Sequence, residues 1–257
     1  MSASHRTTRV GYLISLVPLA ILLLFWFIIP YLGVPSFEVP SLMAEAQSVY
    51  AMMASGRMEL DIGATLGRTF AAILIGIPSG LLVGWLVGTK KIAYRLAMPP
   101  LFLLSTAPPI VFFSIMLVVL GLGNPTYIAA GATGAFFPMF LNTTSAVRAV
   151  KPELLRVAKD YGASESQILR KVIINDVLPA LAAGARISFV LGFIVVVDAE
   201  LILVSPNAPG LGFLIANGTL LLSSVDVYGG LVGLAITGSI VLLLSEYIEK
   251  ILVPWKR

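Results

Sequence analysis

The chain has 257 residues, 58% hydrophobic and 12% charged, with a mean hydropathy of +0.97. A soluble domain is about a quarter charged, so there is too little polar surface here to cover a water-exposed globule. There is no cysteine, and the one histidine is His5, which excludes disulfide frameworks, thiolate chemistry and histidine-based metal or triad sites. The net charge of +4 acts through where its lysines and arginines fall rather than as a nucleic-acid signal.

A bilayer-spanning helix needs about 20 mostly apolar residues. Residues 1–10 read as a short basic tail, and 11–33 as a first span. That run is longer than the roughly 7–15 residues of a secretory core and has no small-residue cleavage site, so it reads as uncleaved. Residues 35–60 are amphipathic and are expected along the membrane surface. Further spans are expected at 63–88, 98–121, 124–147, 181–204 and 228–252. The reading is an all-α integral membrane protein of about six helices, with one domain over 11–257.

Short loops carry the orientation signal. Of the 17 basic residues, all but Arg57 and Arg68 fall on one side of this arrangement, which predicts that side, and both termini, to be cytoplasmic.

The second helix carries Gly76, Gly80, Gly84 and Gly88, one face of a helix at four-residue spacing. Small residues so placed let helices approach closely in lipid, either as ordinary packing or as a contact that slides. Arg68, near the outer end, is expected to extend to the interface, as is Arg186 at the inner end of the fifth helix. Pro108 and Pro109 interrupt the third helix and free carbonyls that only protein or water can satisfy. The break either lines a translocation path or is a packing kink.

The longest polar segment is 148–178. Pro152 suits a first helical turn, and Glu153 complements its N-terminal dipole. Leu154, Leu155 and Ala158 form an apolar stripe. Gly162 ends the helix, Ser164 with Gln167 starts another by a capping box, and Pro179 is expected to break it. A rigid charged hairpin with an apolar stripe suits a groove in a partner protein.

Asp198 and Glu200 lie in the outer half of the fifth helix. Charges are costly in a membrane, so such residues face a cavity or a partner. Two residues apart, they cannot both face one point. Either Glu200 reaches the outer interface while Asp198 pairs inside the bundle, or one of them lines the path. Residues 211–222 form an apolar helix too short to span.

Around the hairpin the chain resembles the permease subunits of binding-protein-dependent ABC importers. Their signature reads Glu-Ala-Ala, three residues, Gly, nine residues, Ile-x-Leu-Pro. With its glycine at Gly162, Ala158 matches, Val172 and Ile174 are conservative, and Arg156 and Asn175 depart. The nitrate/sulfonate/taurine/bicarbonate branch adds further likenesses: Val34-Pro35-Ser36, Pro108-Pro109-Ile110, Phe136-Phe137-Pro138 with Asn142, Val150 to Leu154, and Gly210 to Ile215.

The resemblance implies a type I importer (MetI-like) fold in the inner membrane, assembled as a homodimer. It implies a coupling helix comprising Glu153, Leu154, Leu155, Ala158, Tyr161, Gly162 and Ala163, seated in each of two cytoplasmic ATPases, and an external solute-binding protein. Asn142 and Asn217 join Pro108, Pro109, Asp198 and Glu200 as candidates for the translocation path. No cofactor is expected on this chain. ATP-Mg would bind the partner ATPase, in keeping with the absence of a G-x-x-x-x-G-K-[ST] phosphate loop. The competing reading is a secondary transporter driven through Asp198 and Glu200. It is weakened by the lack of an inverted repeat and by the dockable hairpin.

Overall fold

The computed structural model describes residues 39–254, and 17–32 apart from 19, 22 and 23. The expected tail at 1–10, and residues 11–16 and 33 of the expected first span, lie outside the described residues. The described part of that span is helical at 24–28 and passes into a 3-10 turn, Ile29–Leu32.

Helix α1, Leu42–Ala54, begins where the Ser41 hydroxyl accepts from the Ala44 amide at 3.2 Å. Helix α2, Arg57–Thr89, starts earlier than expected and contains Pro78 without ending there. The expected third span is two helices, α3 (Lys91–Ser105) and α4 (Pro109–Leu120), bent by 96°. The double proline is the cause: Pro109 holds Pro108 in an extended conformation (φ −56°, ψ 136°), so the helix stops and restarts with Pro109 in its first turn.

Helix α5 is Asn124–Ala149 and α6 is Pro152–Asp160. The second arm of the hairpin does not end at Pro179. It runs on as α7, Glu165–Ile202, through a π-helical stretch at Ile168–Ile173. Pro179 lies inside this helix, not at a break. Helix α8 is Leu211–Leu220 and α9 is Ser224–Leu252.

Among the described residues, α2, α7 and α9 are each long and apolar enough to cross a membrane, and the bent α3–α4 pair makes a fourth crossing if taken as one. Helix α5 falls short on hydropathy although its 26 residues suffice in length. The physical reason is its position. It lies between α2 and α7 and buries Thr126, Thr143 and Thr144, so protein rather than lipid covers much of it.

Helices α2 and α5 run side by side in the same direction. A β-carbon on Gly80 would lie 2.6 Å from the carbonyl oxygen of Phe136, and one on Gly84 2.7 Å from that of Phe140. Gly76 faces the Ala132 carbonyl oxygen in the same way, and a β-carbon on Gly88 would lie 3.0 Å from the Val147 side chain and 3.2 Å from the Thr144 carbonyl oxygen. All four expected packing glycines therefore sit on the α5 backbone. Gly131 and Gly134 of α5 receive α7, which runs antiparallel to it, and Gly131 lies where α2, α5 and α7 meet, with Ala72 beside it. Helix α9 closes the bundle against α7.

Candidate functional site

Three places on this bundle hold the sequence candidates. The first lies at the end where α2 and α9 begin. Arg68 is 5% exposed and Glu200 is 0% exposed. Nη1 of Arg68 donates to Glu200 Oε1 at 2.5 Å, Nη2 donates to the Pro209 carbonyl at 2.7 Å, and Nε donates to Asn124 Oδ1 at 2.7 Å. The guanidinium also stands 5.0 Å from the Tyr127 ring centre. The Thr65 hydroxyl donates to Glu200 Oε2 at 2.9 Å and accepts from the Leu211 amide at 3.0 Å. The Gly212 amide donates to Glu200 Oε2 at 3.0 Å.

This arrangement satisfies a costly buried charge pair. It also supplies α8 with the N-terminal acceptors that its own cap, Gly210, lacks. Gly210 is required here for space, since a β-carbon would lie 2.6 Å from Arg68 Nη1 and 2.8 Å from Glu200 Oε1.

Two expectations are thereby corrected. Arg68 does not extend to the interface, and Glu200 does not reach the outer surface. Both are drawn inward because each provides the other's counter-charge. Asp198 is half-buried and in no ion pair among the described residues. Asn217 is half-buried on α8.

The second place is the proline break. A pocket of about 340 Å³ opens between α4, α5 and α7, lined among others by Pro109, Phe112, Phe137, Pro138 and Leu191. Pro109 lines it, whereas Pro108 caps α4. Asn142 does not line it: its Nδ2 donates to the Pro138 carbonyl at 2.9 Å, and its side chain packs on Gly184.

The third is the hairpin. Ser164 and Gln167 form the full capping box, and Gly162 takes φ +75°. The stripe divides. Leu155 turns into a groove with Ile168, Leu169 and Ile173, and Ala158 is half-buried. Leu154, Val157 and Tyr161 face outward at 42%, 53% and 87% exposure. Glu153 is exposed and Ala163 half-buried. Val157 was the outward residue missed from sequence; its i+3 spacing from Leu154 was the available signal. Arg186 pairs with Glu246 at 2.8 Å and Glu249 at 3.3 Å rather than simply extending to the interface.

The sequence and the fold match known proteins. Residues 76–257 fit the family described as binding-protein-dependent transport system inner membrane component. The chain belongs to this family. It is an ABC importer permease, a transport subunit of the membrane.

The permease is 26% identical over 249 residues to a putative aliphatic sulfonates transport permease protein of Bacillus subtilis (strain 168), spanning 96% of this chain and 89% of that one. It is 30% identical over 186 residues to the taurine transport system permease protein of Escherichia coli (strain K12), spanning 72% and 65%. It is 25% identical over 253 residues to the nitrate import permease protein of Synechocystis (strain PCC 6803), spanning 93% and 88%. Its fold matches a solved inward-facing structure of the MetNI methionine ABC transporter with a TM-score of 0.65 at 21% identity, spanning 79% of this chain and 98% of that one.

Proposed function

We propose that this permease carries a small anion of the sulfonate, taurine or nitrate class into the cytoplasm. The solute arrives from an external binding protein, and two ATPase copies bound beneath a pair of permeases drive the cycle. The observation that carries this reading is α6. It is a short helix held on a capped, glycine-ended hairpin, with Leu154, Val157 and Tyr161 turned outward and left exposed among the described residues. Such a face fits a groove on a partner. The hairpin and both termini lie on the cytoplasmic side in this reading, and ATP-Mg stays on the ATPase. The anion class rests on the named relatives.

The mechanism follows from how the bundle is tied. Movement of α6 is transmitted to α7, because the groove around Leu155 packs α6 on the Ile168–Ile173 turn and α7 runs unbroken from there to Glu200. Helix α7 in turn holds α8 through Glu200. The apolar pocket at the proline break lies beside this lever and provides the space into which the path opens.

The test is reconstitution with the ATPase and binding protein, reading ATP hydrolysis as candidate solutes are supplied. Stimulation by sulfonates, taurine or nitrate and not by solutes that carry no anionic group is expected; stimulation only by solutes without an anionic group would refute this class. Changing Leu154 and Tyr161 to Ser should release the ATPase on co-purification. Undiminished co-purification would refute the coupling role of α6.

A further inference from the structure

The turn between α2 and α3 gathers positive charge that no carboxylate among the described residues answers. Lys90, Lys91 and Arg95 are all exposed there. Arg148, in the last turn of α5, joins them: its guanidinium carbon stands 3.7 Å from the centre of the Tyr94 ring. None of the four is in an ion pair among the described residues. Like charges brought together favour an anionic ligand.

Apolar surface lies directly beside this charge. Helix α3 has no buried residue. Ile92, Leu96 and Leu103 share one side of it at 75%, 72% and 70% exposure. Lys91 and Arg95 form the neighbouring stripe, one residue earlier in each turn. A basic stripe and an apolar stripe thus run in parallel at the membrane boundary, where α2 ends. An inorganic anion would use only the first. A second copy of this chain, docked about a two-fold axis here, would bring the same cations face to face.

We propose that the α2–α3 turn, with Arg148, binds an anionic phospholipid. Its phosphate lies among Lys91, Arg95 and Arg148, and an acyl chain lies along Ile92 and Leu96. Tyr94 is the positioning residue that brings Arg148 to the site.

The full-length permease is placed in nanodiscs of phosphatidylcholine with a minor share of phosphatidylglycerol, and the lipids it retains are weighed by native mass spectrometry. The wild type is expected to retain phosphatidylglycerol preferentially. K91A/R95A is expected to lower that preference by about 5-fold per cation removed. K159A/R170A, which removes the same charge elsewhere, should leave it unchanged, and R95K should preserve it. Should K91A/R95A fail to fold, R148Q is read instead, with a loss of about 5-fold expected.

An unchanged preference in both the double variant and R148Q overturns the proposal, as does an equal loss in K159A/R170A. Displacement of the lipid by inorganic phosphate at millimolar concentration would mark a simple anion site and also overturn it. So would weakened self-association of the permease with lipid retention unchanged.

Discussion

Arg68 and Glu200, 132 residues apart in sequence, meet with Nη1 2.5 Å from Oε1, and their side chains are 6% and 0% exposed. The pair joins α2 to α7, and its remaining hydrogen bonds hold α5, the 203–210 connection and the start of α8. Five parts of the chain therefore depend on one charge pair.

Removing one partner leaves the other charge buried alone. Glu200→Ala should cost about 3–5 kcal/mol and lower the unfolding temperature of the detergent-solubilised protein. The double change R68M/E200Q should cost less than the sum of its parts, because no charge is stranded. A Glu200→Ala protein as stable as the wild type would show that the pair contributes nothing.

The α2–α5 contact predicts a position-dependent series. Gly80→Ala forces a methyl against the Phe136 carbonyl and should destabilise by about 1–3 kcal/mol. Gly63→Ala meets nothing within 4 Å and should be neutral or stabilising through better helix propensity. Equal thermal shifts for the two would contradict the close approach of the backbones.

Glu45 on α1 is 3% exposed, and neither of its carboxyl oxygens has a hydrogen-bond partner among the described residues. Burial raises its pKa above the ordinary glutamate value. Below that ordinary value the native and unfolded forms are both protonated. As pH rises past it, the unfolded form ionises first, so the stability of the α1 contact is lost until the native carboxyl ionises too. Glu45→Gln should abolish this loss and slow hydrogen exchange of α1 at neutral pH. Wild-type exchange in α1 whose opening equilibrium does not change with pH would refute it.

Gly162 takes φ +75° at the hairpin turn. Gly162→Ala should cost about 1–2 kcal/mol locally, and Gly162→Asn less, since asparagine tolerates the left-handed region. ATP hydrolysis by the reconstituted complex should fall in the same order. Similar activity in the alanine and asparagine variants would rule out turn geometry as the cause.

Much was determined by the sequence alone. Lipid as solvent, the helical class, the capped hairpin with its glycine end, and the stripe of four glycines were legible because each rests on composition or on spacing within one helix. Tertiary structure decided which neighbours those residues meet. It turned Leu155 inward and Val157 outward, carried α7 straight through Pro179, and folded the third span by 96° at Pro108 and Pro109. Above all it paired Arg68 with Glu200. In sequence each is an isolated charge near a helix end, where extension to the interface is the cheaper outcome. Only packing of α2 against α7 supplies the counter-charge, and α5, the 203–210 connection and α8 supply further hydrogen bonds that make burial affordable.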